Sequence, residues 1–335
     1  NRLIHILYIF MFAYLLSINA YAKDIFNFNV SELEIIEKGN KFIGKNGGTV
    51  TSEDGVVIKA KNFEYDKLKN ILVAFGDVEI IDDKESIIIK SQKVSYLKKD
   101  ELILTSGKSK AFYDGIIIDA HNFEYDKIRK LINAYGKVKI DNQDENYLIY
   151  ADEATYQKNK ELFLIKGNSK AINEGIVIEA ENFELNKIEN VINANGKVKI
   201  DNQDENYLIY ADDATYLKKD EIFLTKGRSK VINEDVVIYA DNLEYNKVNN
   251  TINASNNVKI DNQDENFLIY ADNAKYLKND QLFVTKGNVK IEDTINKYLI
   301  LTNKATYYKS SEKIITEGDT EADIESKYFI TSKDV

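Results

Sequence analysis

Hydrophobic and polar residues alternate with a period of two along most of this chain. In the stretch INANGKVKI, every second residue from Ile192 to Ile200 is apolar or Gly, and the residues between them are Asn or Lys. Such alternation is typical of a β-strand with one buried and one solvated face. No segment sustains the i, i+3, i+4, i+7 pattern of an amphipathic helix over three turns, and β-branched residues and Asn dominate. The pattern therefore predicts an all-β chain.

The alternation shifts phase once within the extended runs. Tyr147, Ile149 and Ala151 face one side of their run, after which the apolar positions jump by three to Ala154. A phase shift inside a strand indicates a β-bulge or a corner, which places the bend at Asp152. The related run that follows shows the same shift, so the bend is predicted to recur in every repeat.

A ladder of glycines reveals an internal repeat across the chain. Successive members lie 29 or 31 residues apart, so that each 60-residue unit consists of two related halves and the chain holds about five units. Asn is the best substitute for Gly where the backbone needs a positive φ, so the pattern predicts a structural role. The ladder is Gly47, Gly76, Gly107, Gly136, Gly167, Gly196, Gly227, Gly287 and Gly318, with Asn256 in the one gap.

An acidic loop recurs in the same phase. The stretch DNQDENYLIYAD occupies residues 141–152 and 201–212, and DNQDENFLIYAD occupies 261–272. An EF-hand loop needs Gly at its sixth position, where this chain has Asn146, and the glycine-rich calcium repeat of β-helices is absent as well. We therefore predict a polar loop that joins two strands, with no metal site and no cofactor.

Composition narrows the class of protein. The chain has 335 residues, of which 44% are hydrophobic and 30% charged, and it lacks Cys, Pro and Trp, which argues against a disordered tail, a membrane bundle and any thiolate chemistry. The net charge of −10 argues against a nucleic-acid partner, because phosphates would be repelled. The two histidines, His5 and His121, are not part of a recurring constellation, and no glycine-rich phosphate loop opens a helix. We predict that the chain is not an enzyme.

The first 22 residues differ from the rest. One Arg near the start is followed by a mostly apolar run and then by Ala20, Tyr21 and Ala22. A basic start, an apolar middle and a small-x-small end predict a secretory signal peptide over residues 1–22. An uncleaved membrane anchor is the alternative, but the apolar run is short and ends in polar residues. The exported product would be a single repeat domain over residues 23–335.

A recurring pattern of G-x-V-x-I, then I-x-A-[DE]-x-[AF]-x-Y, then L-x-A-x-G reads GKVKIDNQDENYLIYADEATY and GIVIEAENFELNKIENVINANG in this chain. It resembles the OstA-like family of lipopolysaccharide transport, which comprises LptA, LptC and the N-terminal periplasmic domain of LptD. The resemblance covers essentially residues 23–335, with some ten successive matches in phase. The opening NFNVSELEIIEKGNKFIGKNGG is most similar to the LptD type.

The resemblance implies an elongated, repetitive β-jellyroll in which two antiparallel sheets face each other around an open apolar groove. It implies a periplasmic protein that carries the acyl chains of lipid A in this groove towards the outer membrane. The implied partners are lipopolysaccharide, other jellyroll proteins paired end to end through their strands, and the outer-membrane translocon. Both a free LptA-like protein and part of a longer LptD remain open, as does attachment to the outer membrane.

The apolar residues that the alternation predicts to point inward are the candidate lipid-binding residues. Large residues among them could either line a slot or fill a core, so a structural or adhesive secreted β-solenoid without a ligand is the alternative function. The candidates are Val78, Ile80, Val138, Ile140, Ile149, Tyr156, Phe163, Ile178, Phe183, Val198, Ile200, Ile209, Tyr216, Phe223, Ile238, Val258, Ile260, Ile269 and Phe283.

Overall fold

The computed structural model describes residues 25–264, 266–293 and 295–332. The predicted signal peptide lies outside the described residues. The strands are β1 (Phe26–Ile36), β2 (Lys41–Ser52), β3 (Val57–Ala60), β4 (Asn62–Asp66), β5 (Ile71–Asp82), β6 (Ile87–Leu97), β7 (Leu102–Ser106), β8 (Ser109–Tyr113), β9 (Ile116–Ala120), β10 (Asn122–Asp126), β11 (Leu131–Asn142), β12 (Tyr147–Gln157), β13 (Leu162–Asn173), β14 (Ile176–Asn186), β15 (Val191–Asn202), β16 (Tyr207–Leu217), β17 (Ile222–Asn233), β18 (Val236–Asn246), β19 (Thr251–Asn262), β20 (Phe267–Leu277), β21 (Leu282–Asp293), β22 (Tyr298–Tyr308), β23 (Lys313–Ile324) and β24 (Tyr328–Ser332). Three single 3₁₀ turns occupy Glu37–Gly39, Lys158–Lys160 and Lys309–Ser311.

The 24 strands of the described residues belong to one antiparallel sheet, in which each long strand from β11 to β23 pairs with the next along the chain. Three of the long strands are each replaced by two short strands that follow one another along the chain. These are β3 followed by β4, β7 followed by β8, and β9 followed by β10. For example, β3 and β4 together pair with β5. The prediction of an all-β, elongated and repetitive fold is confirmed.

Each long strand bends at its middle, where the pairing shifts register. In the pair β12–β13 the shift lies between Tyr150 and Glu153, which confirms the bend predicted at Asp152. The glycine ladder marks the partner strands at the same corner, because the backbone there needs a positive φ, +80° at Gly196 and +64° at Asn256. A Cβ atom at Gly196 would also come within 2.6 Å of the Glu181 carboxylate, so the side chain of the neighbouring strand lies over the glycine.

The bend divides the sheet into two walls that face each other. Tyr207 lies at the start of β16 and Tyr245 near the end of β18, yet their ring centroids are 4.2 Å apart. Phe267 and Tyr307 meet in the same way at 4.6 Å. The two facing sheets of the sequence prediction are therefore the two halves of a single folded sheet, joined along the corner.

One apolar cluster fills the space between the walls. It extends without interruption from Phe26 in β1 to Tyr307 in β22. Stacked aromatic pairs recur within it, such as Tyr216 on Phe223 and Tyr276 on Phe283, each with centroids 4.2 Å apart. The period-two pattern places these side chains inward, and their burial holds the two walls together.

Candidate functional site

All nineteen candidate residues of the sequence analysis lie between the walls. Each is buried within the same apolar cluster; the most exposed, Tyr216, retains 8% of its surface. The open groove that the resemblance implied is closed in the structure, because aromatic rings from the two walls meet across the interior. The candidates thus share one interior, which their own side chains fill.

The turns between the strands lie opposite the corner and form two lips. One set, here called the lysine lip, consists of nine four-residue turns that each begin with Lys. The other set, here called the acidic lip, consists of the turns that carry Asp or Glu. The line along which the two lips meet is here called the mouth. The lysines are Lys67, Lys98, Lys127, Lys158, Lys187, Lys218, Lys247, Lys278 and Lys309; the acids that reach them are Asp54, Asp82, Glu85, Glu145, Glu205 and Asp235.

Ion pairs bridge the mouth between residues that are far apart in sequence. The Lys158 ammonium, 73 residues from Glu85, donates to its carboxylate at 2.9 Å and to its carbonyl oxygen at 2.7 Å. Lys130 lies 3.1 Å from the other carboxylate oxygen of Glu85. One acid therefore holds two successive lysine turns.

The same arrangement recurs along the mouth. Glu145, within the first copy of the acidic loop, lies 3.4 Å from Lys187 and 3.6 Å from Lys218. Glu205, in the second copy, lies 3.8 Å from Lys247, and its carbonyl oxygen accepts a hydrogen bond from Lys278 at 3.2 Å. The repeated acidic loop thus supplies one lip of the mouth.

Near the N-terminal end of the array, one acid forms ion pairs with two lysines at short distances. Asp54 accepts hydrogen bonds from Lys98, at 2.8 Å, and from Lys127. Burial alone would raise the pKa of Asp54, but these two lysines outweigh it and hold the pKa well below its usual range. Burial would likewise lower the pKa of Lys98, and hydrogen bonds to Asp54 and Glu101 raise it instead. Both groups are therefore charged at neutral pH.

The lysine ammonium groups lie at the boundary between the apolar interior and water. The Lys158 side chain retains only 6% of its exposed surface, and its ammonium lies 4.5 Å from the centre of the Tyr113 ring. Lys278 lies 4.7 Å from the Tyr207 ring in the same way. Ring faces attract cations, so Lys158 is held by the Glu85 carboxylate and the Tyr113 ring, and Lys278 by the Glu205 carbonyl oxygen and the Tyr207 ring.

We expect the contribution of Glu85 to stability to disappear in acid. Burial raises the pKa of Glu85, but Lys158 and Lys130 outweigh it, so that the folded pKa lies below its usual value. Such a carboxylate stabilises the fold above its unfolded pKa of about 4.3 and ceases to do so as the pH falls through the folded pKa. Glu85→Gln should therefore lower the free energy of unfolding by about 1 kcal/mol at pH 7, a difference that shrinks below pH 4. Thermal unfolding of both proteins from pH 7 to pH 3 measures it; a difference that is constant with pH would contradict it.

Sequence reasoning missed the mouth. It interpreted the acidic loop only as a connection, and the loop indeed forms a local turn, in which the Asn142 side chain accepts hydrogen bonds from the backbone N–H groups of Asp144 and Glu145. The signal that was available is the Lys that opens nine successive turns in phase with the acidic ones. Within the described part of the chain, no group of three or more His, Cys, Asp or Glu is placed to hold a metal ion. The helices of that part include none long and apolar enough to cross a membrane.

Comparison with protein-family models finds a match to part of this chain. The model for the LptA/(LptD N-terminal domain) LPS transport protein family matches residues 57–191, which extend from the start of β3 to the start of β15. No curated protein matches the chain. The family is a transport and binding family that typically acts outside the cytoplasm, and its context is lipopolysaccharide transport. The later repeats continue the same motifs beyond residue 191. Residues 57–191 of this chain match the model of the LptA/LptD N-terminal family, and this match supports a role related to lipopolysaccharide transport in general.

Proposed function

We propose that this protein carries the acyl chains of lipid A between its two walls, in the periplasm and towards the outer membrane. The observation that supports the proposal is a continuous apolar interior in a chain that matches the model of this family over residues 57–191. The walls are joined covalently at the corner, whereas in the described residues the polar contacts across the mouth are made by lysine side chains. Acyl chains would enter where the lips separate.

The energetics favour local separation of the lips. An acyl chain of a dozen methylenes gains up to about 10 kcal/mol when it is fully buried. Partly exposed ion pairs contribute about 1 kcal/mol or less each, so the few pairs along one lipid cost less to break than the chain gains. Because the contacts of a repeat array are between neighbours, one segment can open while the others stay closed.

The ends of the array suit the predicted partners. In the described residues β1 pairs only with β2 and β24 only with β23, so these are the outermost strands of the described sheet. At the C-terminal end, Tyr328 and Phe329 are exposed, at 65% and 74%. Strand edges invite pairing with another chain. We propose that related jellyroll proteins pair with these ends and that the outer-membrane translocon lies at one end of the resulting row.

The filled interior favours a second candidate, a structural or adhesive β-solenoid without a ligand. The two functions differ in whether lipid reaches the interior. Photo-crosslinking in cells separates them: benzoylphenylalanine at Phe163, which is fully buried, should give a lipopolysaccharide adduct on irradiation. The matched control is the same residue at Leu164, which points to the outer face. Adducts at both positions or at neither would favour the solenoid.

A further inference from the structure

We infer that the lysine lip is a row of binding sites for the phosphate groups of the lipid. The inference rests on the proposed function, since it places the head group of a lipid whose chains lie between the walls. When the lips separate, the lysines would exchange their carboxylate or carbonyl partners on the acidic lip for a phosphate. The ligand class is a phosphorylated amphiphile.

Charge is distributed unevenly between the lips. The net charge of −10 suggests that the chain repels phosphates. The acidic loop at 141–146 carries three carboxylates and no base, however, whereas the nine turns of the lysine lip together carry 15 basic and 8 acidic residues. Repulsion between separated charges decays within about 10 Å in salt, so a phosphate held on the lysine lip is governed by its nearest neighbours.

The lysine ammonium groups lie where the head group of a lipid bound between the walls would lie. Lys98 lies 5.4 Å from the centre of the Tyr96 ring and Lys158 lies 4.5 Å from that of Tyr113, and both rings belong to the apolar interior or pack against it. A lipid with its chains between the walls would bring its phosphate to this same boundary. Lysine binds phosphate through charge-assisted hydrogen bonds, so the exchange leaves each ammonium paired.

Two features of the closed mouth favour replacement of the carboxylate partners by a phosphate. The ion pairs in the middle of the array are long, 3.4 to 3.8 Å at Glu145 and Glu205. Among the described residues, the Tyr125 hydroxyl is buried without a hydrogen-bond partner, and burial, followed by the charges of Asp82 and Glu85, raises its pKa. A buried unpaired hydroxyl is costly, and it would gain partners when the lips part.

The lysine row would also allow a lipid to move along the space between the walls. Successive lysine turns are two strands apart, a distance of about 10 Å at the usual strand spacing. A phosphate can therefore pass from one ammonium to the next while its chains stay buried. Equivalent sites at short intervals allow transfer without full release.

The test compares two probes that share a dodecyl chain, dodecyl phosphate and tetraethylene glycol monododecyl ether, by titration calorimetry below their micelle concentrations. Changing the lysines of the lip to Gln should lower the preference for the phosphate probe about tenfold, the size of one charge-assisted hydrogen bond. The control changes eight lysines on the outer face, so that the net charge falls equally. The lip positions are Lys98, Lys127, Lys158, Lys187, Lys218, Lys247, Lys278 and Lys309; the outer positions are Lys90, Lys110, Lys139, Lys170, Lys199, Lys230, Lys259 and Lys290.

The outcomes separate the inference from the function on which it rests. An equal fall in both variants would mean that only net charge matters, and no fall in the lip variant would mean that the lysines merely hold the mouth; either result overturns the inference. If the neutral probe fails to bind the unmodified protein, the proposed function fails as well. A variant with Arg at the eight lip positions should keep the preference, which excludes misfolding as the cause of a loss.

Discussion

Joining the two lips covalently is expected to reduce lipid binding at least tenfold. Three repeats offer the same cross-lip pair 73 residues apart, Glu85 with Lys158, Glu145 with Lys218 and Glu205 with Lys278. The chain has no Cys, so changing these six residues to Cys introduces its only thiols. A short flexible bis-methanethiosulfonate linker then fastens the mouth at three places. Acyl chains that enter only where the lips part would be excluded, and reduction of the linker should restore binding of the dodecyl ether.

The control for this experiment is a linked pair within one wall. Leu164 and Glu184 are directly paired neighbours in β13 and β14 and point to the outer face. A link between cysteines at these two positions adds the same chemistry without closing the mouth, so binding should stay as in the unlinked protein. Unchanged affinity in the cross-lip variant would show that lipid does not enter through the mouth.

The local structure was predictable from the sequence because it depends on local geometry. A period of two fixes which side chains share a face, and a shift of phase inside a strand fixes the corner, as at Asp152. The glycine ladder needed no tertiary information either, since positive φ is a property of one residue, and Asn256 occupies the position where Gly is missing. All-β class, repeat length and bend therefore followed from the residues alone.

The closed mouth was not predictable in the same way. Alternation says that Phe163 and Phe223 point inward, but it gives no distance to the opposite wall. That distance is set by side chains from distant strands, such as Tyr207 against Tyr245. The ion pairs across the mouth join residues of different repeats, as in Glu85 with Lys158, so no local pattern shows them. Overall net charge was also misleading, because it concealed a basic lip beside an acidic one.

Truncation of an interior ring is expected to cause a large loss of stability. Phe223 is 1% exposed, stacks on Tyr216 with centroids 4.2 Å apart, and packs against Tyr245 at 6.1 Å. Phe223→Ala removes the ring and leaves a cavity, which typically costs about 3–5 kcal/mol. The control is Leu224→Ala, the adjacent residue on the outer face, which should cost less than about 1 kcal/mol. Urea unfolding followed by circular dichroism measures both; equal losses would mean that the ring does not hold the walls together.

The same variant distinguishes a conduit from a solid solenoid. In a conduit the walls accept apolar chains, so the cavity left by Phe223→Ala should be refilled by the dodecyl ether, and saturating probe should recover part of the lost stability through linkage. In a solenoid whose lips stay shut, the cavity remains inaccessible and the probe changes nothing. Recovery at Phe223→Ala, together with its absence at Leu224→Ala, would show that lipid reaches the space between the walls. If the probe changes the stability of neither variant, the interior is a structural core, and the lysine lip only holds the mouth closed.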